Sequence, residues 1–320
     1  MHSKKVLVIL SDGHSFPLKR NTGHDAGKVV DQPSGYFLQE LAKPLNKILN
    51  AGHEVTFASP QGREPAPDPS SESLVANAGN FYERQREYNL IERMKRENGF
   101  SAPRPFNTIS NDELTTFAAV FIPGEHAPLQ DLAGNAELGR ILRYFHQENK
   151  PTAVICHGPY ALLSTKKAGD GSFVYNGYKI TSWSDAEENL METLWGGEAN
   201  KVESTLRNEG AVMVEGVREK TGGTTLHREL VSAGNPVAAN ALGDRLDPVS
   251  YTVPIRIISE HFVLNGIVFD LKSQFLTQVD PKKAHKAHSP THPTPPHHTK
   301  WAGFWAHPSG PSVRRGEGNK

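Results

Sequence analysis

The chain has 320 residues and a single cysteine, and that cysteine stands where a nucleophile would. Cys156 lies in Lys150-Pro-Thr-Ala-Val-Ile-Cys-His-Gly-Pro-Tyr-Ala-Leu-Leu163. The run Ala153–Ile155 is apolar and reads as a buried strand, and the Cys-His-Gly-Pro segment cannot extend it. A helical pattern begins at Tyr160, so Cys156 falls on a sharp turn from strand to helix, a place that lifts a nucleophile out of a sheet. The positive end of the following helix should ease loss of the thiol proton. A free cysteine is ordinarily an inert core residue. The turn and the adjacent His157, a ready proton acceptor, argue against that reading here.

The elements that must hold this turn are legible from periodicity. Val6–Leu10 is a β-branched apolar run, read as a buried first strand. A polar, Gly-containing segment follows from Ser11 to Gly35. Tyr36–Asn50 has helical spacing, with Phe37, Leu41, Leu45, Ile48 and Leu49 on one face and Pro44 as an interruption. Glu54–Ala58 and Phe117–Ile122 read as further strands, Leu138–Gln147 as an amphipathic helix, and Asn80–Asn98 as a charged surface helix. Val174–Thr181, with Asn176-Gly177 at its centre, reads as a hairpin or paired strands. Ala186–Leu194, Val202–Asn208 and Pro236–Leu246 read as helices, and Leu230–Ser232 as a late strand.

Alternating strands and helices predict an α/β fold, a three-layer α/β/α sandwich with a mostly parallel, flavodoxin-like central sheet. In such sheets the functional crevice lies beyond the carboxyl ends of the strands. Ser11–His14, Gly124–His126 and Cys156-His157 all follow strands and can converge there.

Composition narrows the function. Lys+Arg and Asp+Glu are equal at 35 each, so no basic field points to nucleic acid. One cysteine excludes an intramolecular disulfide framework. No apolar run approaches the ~20 residues that span a membrane, and Val6–Leu10 is too short for a signal-peptide core. A soluble cytoplasmic protein is expected. The expected domains are a catalytic domain over 1–250, an extension over 251–280, and a His- and Pro-rich tail over 281–320 that lacks the apolar residues to fold alone. The apolar stretch Val253–Phe269 fits either an added strand pair or an oligomer contact. Asp12, His14, His24 and Asp25 carry metal-ligand atoms, but such spacing is common by chance and no metal site is expected.

Five segments in order carry a family likeness. Ala153-Val-Ile-Cys-His-Gly-Pro159 resembles the nucleophile motif of the ThiJ/PfpI superfamily, which shares its fold with class I glutamine amidotransferases. Phe121-Ile-Pro-Gly-Glu-His-Ala-Pro-Leu-Gln-Asp131 is similar to that family's strand–loop segment, usually Pro-Gly-Gly-His-Gly or Pro-Gly-Gly-His-Ala. Ser34–Pro44 resembles its glutamate-bearing early helix, Ile180–Glu188 the segment of a third acidic residue, and Gly234–Gly243 its C-terminal helix. The branch most resembled contains heat-shock holding chaperones that are also glutathione-independent, glyoxalase III-type enzymes.

The resemblance implies roles residue by residue. Cys156 is the nucleophile, His157 its catalytic neighbour, Glu40 the glutamate that touches the thiol, and Glu188 the partner of the histidine, with Asp185 as a rival. Gly124, Glu125 and His126 supply the oxyanion and substrate-binding loop. Glu125 departs from the family, standing where a second glycine is usual, and a side chain there restricts φ. The implied activity is a D-lactate dehydratase (glyoxalase III) reaction that converts methylglyoxal or a related 2-oxoaldehyde to a 2-hydroxy acid without a cofactor. A homodimer is expected. A holding chaperone with unfolded-protein clients, and a cysteine peptidase of the same superfamily, remain open as alternatives.

Overall fold

The computed structural model describes residues 3–71 and 80–246, and the backbone of two short strands, His261–Leu264 and Ile267–Asp270. The chain divides into two units, Met1–Pro254 and Ile255–Lys320.

The first unit is built on a seven-stranded sheet. From one edge to the other its strands are Thr224–His227, Leu230–Ala233, Thr152–Ile155, Phe117–Ile122, Lys5–Ile9, Glu54–Ser59 and Arg104–Pro105. Every pairing is parallel except that between the first two. The centre of the sheet is apolar without interruption because both faces are covered. Alternate residues point to opposite faces. Leu7, Ile9, Val120, Ile122 and Val154 enter one core with Leu138, Ile141, Leu142 and Phe145 of helix Ala136–Gln147. Val6, Val8, Ala119, Phe121, Ala153 and Ile155 enter a second core with Leu41, Leu45 and Ile48 of helix Leu38–Asn50 and Leu242 of helix Ala239–Arg245. This is the three-layer α/β/α sandwich expected from the strand–helix alternation.

Several local expectations are corrected. Val174–Thr181 is not a hairpin. Asn176-Gly177 does form a turn, but only Lys179–Ile180 is strand, and it pairs in parallel with Val212–Met213. The pattern after Cys156 folds as a 3-10 helix over Gly158–Lys167 rather than an α-helix. The helix Leu38–Asn50 runs through Pro44 without a break. The charged helix Phe81–Glu97 is not wholly superficial, for it buries Leu90, Ile91 and Met94. The segment read as polar loop holds two antiparallel strands, Ser15–Arg20 and Val29–Pro33. Phe16 and Leu18 alternate inward with period two, a signal obscured by Pro17 between them.

In the second unit, His261–Leu264 and Ile267–Asp270 pair antiparallel, so part of the apolar stretch 253–269 is a strand pair. The expected tail 281–320 lies outside the described residues. Among the described residues no helix is long and apolar enough to cross a membrane.

Helix Ala136–Gln147 seats the segment after Cys156 through one close approach. A Cβ on Gly139 would collide with the carbonyl oxygen of Ser164 in the 3-10 helix. Gly139→Ala is expected to destabilise by about 2 kcal/mol through overpacking. That corresponds to a fall in Tm of roughly 4–8 °C for a domain of this size, measurable by calorimetry.

Candidate active site

Two loops at the carboxyl ends of neighbouring strands, together with two helix starts, bring the chemistry together. Cys156 has φ +59°, the left-handed region that side-chain-bearing residues rarely enter. Two backbone hydrogen bonds lock this turn: Cys156 N–H donates to the Ala233 carbonyl (2.9 Å), and Trp183 N–H donates to the Cys156 carbonyl (2.9 Å). The turn aims Sγ at Nδ1 of His157, 3.2 Å away. His157 Nε2 lies 2.9 Å from Glu188 Oε2, which gives a continuous Cys156–His157–Glu188 chain. With Nε2–H donating to the carboxylate, Nδ1 carries the lone pair that faces the thiol.

Glu188 is placed by its helix, Asp185–Trp195. The helix starts with a capping box in which Ser184 accepts from Glu187 N–H and the Glu187 carboxylate accepts from Ser184 N–H. The acids of this first turn thus have separate tasks. Glu187 caps, and Asp185 accepts from Ser204 N–H (3.2 Å). Glu188 is the one that reaches His157, so the rival partner is engaged elsewhere.

A second imidazole shares Glu188. His126 Nε2 lies 3.0 and 3.2 Å from its two oxygens, and His126 Nδ1 lies 2.7 Å from Glu125 Oε1. The His126 and His157 ring centroids are 3.8 Å apart. Glu125 takes φ +89°, so it adopts the backbone that a glycine would take with ease. All these residues are buried: Glu188 and His157 are 1% exposed, His126 and Cys156 3%, Glu125 7% and Glu40 0%.

Sequence reading missed the aromatic walls. Phe16 stacks on His126 (4.6 Å between centroids), Trp195 meets it edge-on (5.0 Å), and Trp183 stacks on His157 (5.6 Å). Trp183 lies within the segment Ile180–Glu188 that carries part of the family likeness. Phe16 and Trp195 come from elements whose approach to the site only the fold determines.

Glu40 occupies the first turn of Leu38–Asn50, and neither of its oxygens has a well-formed hydrogen bond. Gly124 packs against it. A Cβ on Gly124 would strike the Glu40 carboxyl and the Cys156 side chain and lie 2.6 Å from the Ile155 carbonyl oxygen. The early residues do not join the site through their polar contacts. The Asp12 carboxylate accepts from the N–H groups of Gln61 and Arg63, and His14 meets the Glu64 carbonyl (3.0 Å). Asp25 pairs with Lys28. Among the described residues, the group with metal-ligand spacing is instead His126, His157 and Glu188.

The charges follow from burial and pairing. Burial, with the Glu125 charge added, pushes the Glu40 carboxyl well up, which favours its protonated form. Burial opposes ionisation of Glu188 and Glu125. Hydrogen bonds with the histidines outweigh it and hold both below the usual carboxylate range. Burial would lower His126, yet Glu125 and Glu188 push it up to about 9. Burial and the neighbouring His126 charge lower His157, whose ring is therefore neutral. The Cys156 thiol is pushed well up, by burial first and then by Glu40 and Glu125, against the pull of the Glu125 backbone N–H. This corrects the expectation of an easily ionised thiol. A buried sulfur among acids, followed by a 3-10 helix, gains less from the helix end than it loses to desolvation.

A raised imidazole gives stability that is full below its unfolded pKa of about 6.5 and is lost as pH rises through about 9. For His126 this is on the order of 3 kcal/mol. Thermal melts should therefore fall between pH 7 and 9.5. In Glu125→Gln the loss should be complete at a lower pH and be smaller.

Known proteins share this arrangement of segments. A family profile described as ThiJ/PfpI family-like matches residues 32–186. The chain is 25% identical over 258 residues to a glutathione-independent glyoxalase (hsp3101) of Schizosaccharomyces pombe, covering 78% of this chain and 97% of that protein. It is 28% identical over 252 residues to the protein/nucleic acid deglycase HchA of Escherichia coli O157:H7, covering 75% and 78%. In fold it is similar to a glyoxalase III from Candida albicans, with a TM-score of 0.58 at 18% identity over 76% of this chain and 95% of that one. The cysteine elbow, the glycine loop and the two helix starts thus stand in the order of that family, and the chain is similar to ThiJ/PfpI proteins over residues 32–186 and to the glyoxalase and deglycase relatives over about three quarters of its length.

Proposed function

We propose that this protein is a glutathione-independent glyoxalase that converts methylglyoxal, or a related 2-oxoaldehyde, to a 2-hydroxy acid. The observation that carries this reading is the buried Cys156–His157–Glu188 chain with a protonated Glu40 on the other side of the sulfur. The glyoxalase and deglycase names of the relatives support an enzyme of this general type.

The neutral His157 takes the thiol proton through Nδ1 as sulfur attacks the aldehyde carbon. Glu188 stabilises the imidazolium that forms. Glu40 gives its proton to the aldehyde oxygen, which yields a hemithioacetal. The Glu40 carboxylate then takes the carbon-bound proton while the His157 imidazolium returns its proton to the ketone oxygen, and an enediol results. The Glu125 backbone N–H, which already points at the sulfur, lies on the side where oxyanion charge develops. Reprotonation at the neighbouring carbon gives a 2-hydroxy thioester, and water releases the acid and the thiol. One carbon is oxidised and its neighbour reduced, so the sum is substrate plus water and needs no external oxidant or reductant.

Deglycation is the second reading, favoured by the name of the HchA relative. It would use the same thiol on an aldehyde adduct of an amine. The burial of every site residue favours a small free aldehyde over a polypeptide.

Turnover of methylglyoxal to lactate without glutathione should be measurable by coupled assay. Cys156→Ser should lower it at least ~10³-fold, since nothing replaces the sulfur. Near-normal turnover in that variant would overturn the mechanism. Gly124→Ala should lose activity to a similar degree while still folding, because its methyl group displaces Glu40 and Cys156 from each other. Glu188→Gln should reduce kcat by about 10²-fold or more with little change in KM, as expected for a group that acts in the transition state.

A further inference from the structure

We propose that His126 Nε2, His157 Nε2 and the Glu188 carboxylate form a site for one divalent transition-metal ion of the zinc class. Occupancy of this site switches the thiol chemistry off. The effect on turnover rests on the role given above to His157. The binding does not.

The geometry is that of a ligand set drawn slightly inward. The three donor atoms lie within 4.8 Å of one another. The two imidazole nitrogens approach one carboxylate from neighbouring directions, at 2.9 Å from His157 and at 3.0 and 3.2 Å from His126. Tetrahedral zinc with bonds of about 2.0–2.1 Å separates its ligand atoms by about 3.3 Å. Each imidazole–carboxylate pair therefore needs to part by only a few tenths of an ångström to admit an ion. Two imidazoles and one carboxylate are also a donor set that suits zinc and leaves a coordination position open.

A second observation points the same way. Glu125 Oε1 lies 2.7 Å from His126 Nδ1, so the far nitrogen, Nε2, is the one turned inward. A carboxylate behind a histidine in this way fixes the tautomer and orientation of a metal ligand. Glu125 reaches that place from a backbone φ of +89°, a conformation that persists only where the surroundings enforce it. Glu125 and Glu188 also set two formal negative charges about one buried point, which a divalent cation balances.

The consequence for Cys156 follows from the tautomer. An ion on His157 Nε2 transfers the ring proton to Nδ1, the nitrogen 3.2 Å from the sulfur. Both nitrogens are then occupied and the ring cannot take the thiol proton. The sulfur lies on the Nδ1 edge, away from the ion, and is not a ligand.

The test uses the full-length chain with Co²⁺ as a visible probe and Zn²⁺ in the turnover assay. The expected result is one tight equivalent of cobalt with tetrahedral d–d bands and no strong sulfur-to-metal band. Those bands should persist in Cys156→Ser and in a chain whose six histidines beyond residue 281 are replaced by glutamine. Affinity should fall at least about tenfold in Glu188→Gln and His126→Gln, and roughly 10–100-fold in Glu125→Gln. Thermal melts confirm that each variant is folded. Zinc should cut methylglyoxal turnover at least about tenfold, reversed by a chelator. Loss of the bands only with the tail histidines places the ion on the tail and overturns the proposal. A sulfur band that disappears in Cys156→Ser, or no cobalt binding at all, also overturns it. If cobalt binds as expected and zinc leaves turnover unchanged, the switch is overturned. If wild type shows no turnover, the glyoxalase reading fails and the cobalt bands still decide the site.

Discussion

One buried carboxylate shared by two imidazoles sets the state of every other group in the site. Glu188 is 1% exposed and accepts from both His126 and His157. A charge so deep is tolerable only when paired. Glu125 supplies the second carboxylate that lets His126 stay charged. A charged His126 in turn keeps His157 neutral, with its lone pair toward the sulfur. Beside the thiol, burial and the Glu125 charge outweigh the pull of His126 on Glu40 and favour its protonated form. The resting site thus holds a thiol, a neutral base and a neutral acid rather than a preformed thiolate. Nucleophilicity has to arise by proton transfer during attack, along hydrogen bonds already in place.

Close packing makes this order possible. The site has no slack between Gly124, Glu40 and Cys156, where a single methyl group would overlap both side chains. Gly158 meets the same constraint, since a Cβ there would lie 2.7 Å from the Ile122 carbonyl oxygen. The left-handed turn at Cys156 is held by its bonds to Ala233 and Trp183, which belong to segments remote in sequence. Strain at one residue is therefore sustained by the sheet on one side and by the Trp183 segment on the other. Phe16, Trp183 and Trp195 then close the imidazoles off from water and strengthen each electrostatic interaction inside.

The sheet explains why residues so far apart in the chain meet. Parallel strands end on the same side, so the loops after Phe117–Ile122 and Thr152–Ile155 open onto one crevice. The helices that carry Glu40 and Glu188 both present their first turns to it. An acid in a first turn is favoured by the helix dipole whether or not it has a chemical task. Composition alone therefore could not separate Glu188 from Asp185 and Glu187.

The sequence by itself determined the layers and the reactive turn. Uninterrupted apolar strands, amphipathic helices and a Cys-His pair that breaks a strand are local patterns, and each follows from the period of its own element. Tertiary structure decided the partners and the charges. Glu188 reaches His157 because a capping box fixes where its helix begins. His126 joins as a second imidazole because its loop brings Nε2 within hydrogen-bond reach of Glu188. The thiol is raised rather than lowered because burial and neighbouring acids outweigh a short 3-10 helix end. The strands Ser15–Arg20 and Val29–Pro33 escaped local reading because Pro17 and polar neighbours mask their alternation. Hydrogen bonding and desolvation act between residues distant in the chain, so no local pattern records them, whereas side-chain periodicity is written residue by residue.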